Sequence, residues 1–353
     1  MIHSLDLEIM IYKGREFKML EMKISPKNVA AIASSIKKIK EMVKSGAIEH
    51  KTPVHIVMEP GIYAEQVTYN LSNPLVLESV NGASARDVVI QVQNCEKFHK
   101  GPETRAAFIL GDNVTNVTLR NFTILNTHVK SIIEGSTLED SAEALSYCGT
   151  RGALFAEKMN FEGHQNVVYT QGYSSFKECS FKGDVDVIWG NPVLAYFEEC
   201  FVHVAEDNRG DFNGYGVKSL AVANKPGFVF NNCRFTCDRR KKSECYVMRT
   251  EGKGSAYSKE NWDSIALINC MVSEYFNEEF GWDDDHMLEV HPRANAKCGW
   301  REYNTKIVKA NGTVEESDTC MRNVKSYLLT DNDYTEGYAS RYLILKNTPL
   351  SNE

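Results

Sequence analysis

One six-residue pattern recurs along the chain and restricts its fold more than any other feature: apolar, two mostly polar residues, apolar or Cys, any residue, apolar. Copies begin at Leu119, Ala156, Phe176, Phe197, Phe230 and Leu267, and successive starts differ by 37, 20, 21, 33 and 37 residues. Helical repeats seldom fall as low as about 20 residues. The residue types within the copies (Phe, Val, Ile, Cys and Thr, with Asn and Gly between) favour strands. A unit this small can bury its apolar side chains only by stacking on copies of itself, which predicts an all-β chain wound as a parallel β-solenoid. The longer intervals are then coils with a loop pushed out.

A solenoid needs its open ends covered. Ser25 and Pro26, followed by Val29, Ile32, Ala33, Ile36, Ile39 and Val43 and then Gly46, read as a capped amphipathic helix over 26–45 that plugs the N-terminal end. The expected organisation is one domain over 1–353. An N-terminal cap occupies 1–50, the β-helix 51–297, and a tail that loses the repeat and packs on the outside of the stack 298–353. The fourth pattern position forms an interior ladder, which places Cys179, Cys200, Cys233 and Cys270 in the core as small reduced thiols.

Composition narrows the function. The 353 residues are 42% hydrophobic and 25% charged, an ordinary globular profile that excludes disorder and collagen. No apolar run reaches about eighteen residues, so no membrane span is expected. The first residues interrupt their apolar stretches with Asp6, Glu8, Lys13 and Arg15 and carry no cleavable signal pattern, so a cytoplasmic location is expected. A formal net charge of −7 argues against general nucleic-acid binding, and the one dense basic run, Arg239 to Lys242, reads as a solvated loop. None of the ten cysteines sits in a CxxC pair, so neither a disulfide framework nor a zinc site is expected. No cofactor or metal is expected, and the chain is expected to be a monomer.

The repeat also locates a candidate site. Ten residues on from the starts at Ala156 and Phe176 lie Asn166 and Asp186. Equal offsets in adjacent coils stack the two side chains about 4.8 Å apart on the outer face of a sheet. By the same count His164 stacks near Asp184, and the stretch from Gly183 to Gly190, GDVDVIWG, places two carboxylates beside Trp189. Serine-hydrolase chemistry has no support, since no GxSxG occurs. A calcium-dependent lyase would want clustered carboxylates. The run Asp283, Asp284 and Asp285 before His286 points its consecutive side chains in different directions and reads as a solvated loop.

The segment from Asn160 to Gly190, NFEGHQNVVYTQGYSSFKECSFKGDVDVIWG, resembles the core of the pectin methylesterases, a carbohydrate esterase family. Gly61, Tyr63 and Glu65 match that family's GxYxE turn, Arg249 in YVMRTE falls where the family has LGRPW, and Gly281-Trp282-Asp283 falls at its GW element. The resemblance covers roughly residues 28 to 305 and implies a right-handed parallel β-helix of the pectin lyase-like kind. Carried over residue by residue, it makes Asp186 the nucleophile, Arg249 the cation that keeps Asp186 ionised and oriented, and Gln165 an oxyanion donor. Trp189, with Trp262, offers an apolar face to a sugar ring.

The departures from the family pattern matter as much. Where the family has a second Asp, the general acid for departing methanol, this chain has Asn166. Where it has an upstream oxyanion Gln, this chain offers Ser141, and its Pro-Trp after the arginine is here Thr250-Glu251. An amide cannot donate a proton and then act as a base, and losing that help costs about 10²- to 10⁴-fold. Three readings follow. One is a hydrolase of methyl-esterified galacturonate fragments that has replaced its acid, with His164 and Asp184 as the nearby titratable candidates. Another is an acyl-CoA or other ester or thioester hydrolase whose leaving group departs without a proton. The last is a non-catalytic saccharide-binding solenoid. The partner is in each case an oligosaccharide or other small ester.

Overall fold

The repeat works because one residue per coil turns the chain through a sharp corner. Asn121, Lys158, Glu178, Glu199, Asn232, Asn269 and Asn304 each have φ between 51° and 59°. The first six are the third pattern position, and Asn304 extends the series by one coil. This left-handed conformation costs least at Asn among side-chain-bearing residues, and four of the seven positions carry it. On either side of the corner the chain is extended, so each coil runs strand, single-residue bend, strand.

In the computed structural model the described residues are 8–13, 18–130, 140–206, 213–239, 243–249, 261–276, 282–283, 294–316 and 326–352. Stacking produces three parallel faces. The first carries Lys18–Ile24, Val54–Met58, Leu75–Ser79, Asn116–Arg120, Ala153–Glu157, Gly227–Asn231, Ile265–Ile268 and Trp300–Tyr303. The second, beyond the left-handed corner, runs from Gly61–Tyr63 through Thr123–Asn126, Asn160–Glu162, Ser180–Gly183 and Phe201–Val204 to Lys306–Val308. The third carries Val67–Tyr69, Phe108–Leu110, Leu145–Tyr147, Gly214–Ser219 and Cys245–Arg249. Two long strands, Val168–Lys177 and Ile188–Glu198, pass from the third face into the first.

Inside the stack, like sits on like. The first pattern position forms an aromatic pile in which Phe176 and Phe197 stack at 4.7 Å and Phe197 and Phe230 at 4.4 Å between ring centroids. Phe161 and Phe181 stack beside it at 5.2 Å. The cysteine ladder is buried, as the pattern requires. The thiols of Cys179, Cys200, Cys233 and Cys270 donate to the carbonyl oxygens of Ala156, Phe176, Phe197 and Phe230 in the coil before, at 3.4–3.5 Å.

The ends differ from expectation. The N-terminal helix is Ala31–Lys44, not 26–45, and its N-cap residue Ala30 is left-handed at φ 50°. Pro26 lies in the preceding turn, outside the helix. The cap comes from far along the chain: Glu65 accepts from the backbone N–H groups of Ile32 at 3.0 Å and Ala33 at 2.9 Å. A carboxylate there meets both the orphan donors and the positive end of the helix dipole. The helix nonetheless covers the end of the stack through Ile32, Ile36 and Ile39, which join the main core.

Both expected boundaries of the solenoid also move outward. Lys18–Ile24 already pairs in parallel with Val54–Met58, and Trp300–Tyr303 and Lys306–Val308 make another coil beyond 297. After them, Asp331–Gly337 and Arg341–Leu345 pack on the outside of the first face against Leu194, Tyr196, Val229 and Ile268. Arg341 fastens this tail, donating to Glu198 at 2.8 Å and Ser175 at 3.0 Å over the Tyr196 ring. Among the described residues no helix is long and apolar enough to cross a membrane.

The pile predicts its own weak point. Phe197→Ala removes the middle ring and is expected to destabilise the protein by about 3–5 kcal/mol. Urea denaturation checks this, with a lowered midpoint at unchanged m.

Candidate active site

The site forms where the second face bends into the third. Gln165 and Val185 form an isolated parallel bridge, and the Asn166 N–H donates to the Val185 carbonyl at 2.9 Å, so adjacent coils keep register through the bend. Gly183 allows the close approach: a Cβ there would lie 2.6 Å from the His164 carbonyl oxygen. Asn166 and Asp186 are both left-handed, at φ 63° and 51°. They therefore sit at equivalent positions in successive bends, not on the flat outer face of a strand as their offsets suggested. Both acids of the bend are buried, Asp184 and Asp186 being 1% and 2% exposed.

The third face supplies the other half of the site. One outward-facing register column runs Ser146, Tyr169, Trp189, Lys218, Arg249. This column brings Arg249 to Asp186 across 63 residues of chain. Its Nε donates to Oδ1 at 2.7 Å and its Nη2 to Oδ2 at 2.5 Å, a two-pronged ion pair, while its guanidinium carbon lies 4.9 Å from the centroid of the Tyr215 ring. Lys218 Nζ is 4.0 Å from Asp186 Oδ2 and 5.7 Å from the centroid of the Trp189 ring. Trp189 is half-buried against Tyr169, with centroids 4.6 Å apart.

Burial works to raise the Asp186 carboxyl. The charges of Arg249 and Lys218, the hydrogen bonds from Arg249 and the charge of Lys130 outweigh it, so the group lies below its ordinary 3.8. Asp184 follows the same logic. Burial would raise it, but hydrogen bonding from His164 and the charge of Lys130 hold it below its ordinary value. Lys130 Nζ is 3.0 Å from Asp184 Oδ1 and His164 Nδ1 is 3.5 Å from Oδ2. Two carboxylates thus stay ionised in a nearly dry bend, Asp184 beside Lys130 and Asp186 beside Arg249 and Lys218.

The amides meet at Ser141. Its Oγ accepts from Asn166 Nδ2 at 3.3 Å and, more loosely, from Gln165 Nε2 at 3.5 Å. Among the described residues Asn166 Oδ1 and Trp189 Nε1 are buried without a hydrogen-bond partner. Asp186, Arg249, Gln165, Asn166, Ser141, His164, Asp184 and Trp189 therefore belong to one neighbourhood. Thr250, Glu251, Gly281, Asp284, Asp285, His286 and most of the basic run at 239–242 lie outside the described residues. No group of three His, Cys, Asp or Glu side chains that could hold a metal ion occurs among the described residues.

Two residues escape a reading of the sequence. Lys130 lies outside the repeat copies and carries no periodic signal. Lys218, in GYGVKS, had a signal that offsets alone hide: it lies in register between Trp189 and Arg249, 29 and 31 residues away.

The Pectinesterase family profile matches residues 28–283. The chain belongs to the pectinesterase family. A pectinesterase of Arabidopsis thaliana, QRT1, is 26% identical over 285 residues, which are 78% of this chain and 68% of that protein. Putative pectinesterase 14 of the same plant is 26% identical over 208 residues, 58% of this chain and 59% of its own length. Pectin methylesterase PemA from Erwinia chrysanthemi superposes with a TM-score of 0.64 at 18% identity, covering 88% of this chain and 93% of that one. A pectin methylesterase solved with a hexasaccharide gives 0.65 at 20% identity, covering 90% and 93%. The fold is accordingly the parallel β-helix of pectin methylesterases, and membership makes this chain an ester hydrolase of the pectinesterase type.

The Lys130–Asp184 pair is a testable element of this site. Lys130→Met leaves a buried carboxylate facing only His164 and is expected to cost about 3–5 kcal/mol. Urea denaturation measures it, and adding Asp184→Leu in the same chain is expected to recover most of the loss.

Proposed function

We propose that this protein hydrolyses methyl-esterified galacturonate fragments through an acyl-enzyme on Asp186. The observation that carries the reading is the two-pronged Arg249–Asp186 ion pair inside a bend where Asp186 is buried. A carboxylate attacks an ester carbonyl only while ionised, and the pair keeps it ionised without a water shell that attack would have to strip away.

The remaining groups divide the work. Ser141 holds the Gln165 and Asn166 amides by accepting from both. An amide N–H of Gln165 directed at the developing oxyanion contributes about 3 kcal/mol to the transition state. Trp189 and Tyr169 provide an aromatic shelf on the outer column, suited to the apolar face of a sugar ring, and the partnerless Asn166 Oδ1 and Trp189 Nε1 are polar groups that a saccharide hydroxyl satisfies. Asp184 is held ionised between Lys130 and His164 and supports the bend electrostatically, so it is a poor source of a proton.

Methanol release from methyl-esterified galacturonate oligomers tests the reading. Asp186→Ala is expected to reduce it to background, and activity surviving that change excludes Asp186 as nucleophile. Because the Asp186 carboxyl lies below 3.8, kcat/KM is expected to hold down to that region and fall only at lower pH. Arg249→Gln removes a lowering influence, so the acidic limb is expected to move to higher pH by about 1–3 units. An unmoved limb in a pH–rate profile contradicts the proposed role of Arg249. Turnover of an acyl-CoA but not of sugar esters reassigns the substrate.

A further inference from the structure

A carboxylate nucleophile leaves one requirement of methyl-ester hydrolysis unmet: methoxide departs only with a proton, and the second carboxylic acid that could give one is Asn166 here. The groups around Asp186 narrow the choice. Arg249 stays protonated throughout the accessible pH range. Asp184 is engaged by Lys130 at 3.0 Å and by His164 at 3.5 Å, and it is ionised. Lys130 is in turn drawn to Asp184 in the neighbouring position of the bend.

We propose that Lys218 is the catalytic proton donor and acceptor of this site, taking the part that Asn166 cannot play. Its Nζ is 4.0 Å from Asp186 Oδ2, the oxygen shared with Arg249, so an acyl group on Asp186 forms within its reach. Its side chain is 13% exposed and passes over Trp189, the proposed sugar shelf. The charged groups that act on it are Asp186, Arg249 and the fully buried Asp263. Burial first, and then Arg249, depress its pKa, while Asp186 and Asp263 oppose them, and the net direction is downward. That direction suits a group that must both give and take a proton.

The step balances. The Asp186 carboxylate adds to the ester carbonyl, the carbon–methoxy bond breaks, and the Lys218 ammonium gives its proton to the departing oxygen. Methanol, an Asp186 anhydride and a neutral amine result. The amine then takes a proton from water as that water attacks the acyl carbonyl, releasing the carboxylic acid and restoring the Asp186 carboxylate and the ammonium.

This assignment rests on the ester-hydrolase reading above, and the leaving group separates the two. Methyl and 4-nitrophenyl esters of the same galacturonate oligomer share every step except the need for a proton, because nitrophenolate departs unaided. Lys218→Met is expected to lower kcat/KM on the methyl ester by about 10²- to 10⁴-fold and on the nitrophenyl ester by less than about tenfold. Lys218→Arg keeps the charge but cannot release the proton, and the same selective loss is expected. In the unaltered protein, kcat/KM for the methyl ester is expected to fall at alkaline pH as the ammonium titrates, with no such limb for the nitrophenyl ester. Equal losses on both esters, an Arg variant as active as the original, or an alkaline limb shared by both esters overturns the assignment and leaves the Asp186 reading standing. The last comparison needs no variant, so it holds even if the substitutions impair folding. Turnover of neither ester by the unaltered protein removes the hydrolase reading and this inference with it.

Discussion

A coil of about twenty residues encloses too little volume to fold alone, so every coil depends on the ones above and below it. Stacking demands that each coil repeat the same path, and the left-handed residue at the corner enforces this. With Asn121, Lys158, Glu178, Glu199, Asn232, Asn269 and Asn304 all near φ 55°, the flanking side chains are aimed at fixed places, and rings stack on rings and thiols on thiols. The site inherits that regularity. Asn166 and Asp186 lie in consecutive bends with the same handedness, and Trp189, Lys218 and Arg249 fall in one column because the third face keeps its register.

Charge inside the bend is arranged in compensated sets. A buried carboxylate without a partner costs several kcal/mol or protonates. Here Asp184 is answered by Lys130 and His164, and Asp186 by Arg249 and Lys218. The two sets are adjacent, and the charge of Lys130 also reaches Asp186. Rigid, pre-paid electrostatics of this kind allow an ionised nucleophile to wait in a nearly dry place without solvent reorganisation. Asn166 therefore lies in a bend that also holds Lys130, Lys218 and Arg249.

Much of this was legible in the residues themselves. The six-residue pattern gave the solenoid, the buried cysteines and the stacking of Asn166 with Asp186, because period and residue type report directly on strand, corner and interior. The helix starts at Ala31 and not at the local start signals Ser25 and Pro26, because its cap, Glu65, comes from the next coil. The burial of Asp184 and Asp186 is not legible, because an Asp on the outer face of a strand is ordinarily solvated and nothing near them in sequence reveals Lys130 or Lys218. Boundaries at 51 and 297 failed where the repeat weakens at the ends, since the outermost coils have a neighbour on one side only and tolerate looser sequence.

Sequence by itself determined that the chain must stack upon itself and that Asn166 and Asp186 occupy equivalent places in adjacent coils, since both follow from residue identity and spacing; that a proton-donating carboxyl is expected at 166 is what the resemblance to the pectin methylesterases implies. Tertiary structure alone decided which distant cations reach Asp186. Lys218 and Arg249 lie 32 and 63 residues beyond it, and the intervening loops vary in length, so only the register of stacked strands fixes their distance to its carboxylate.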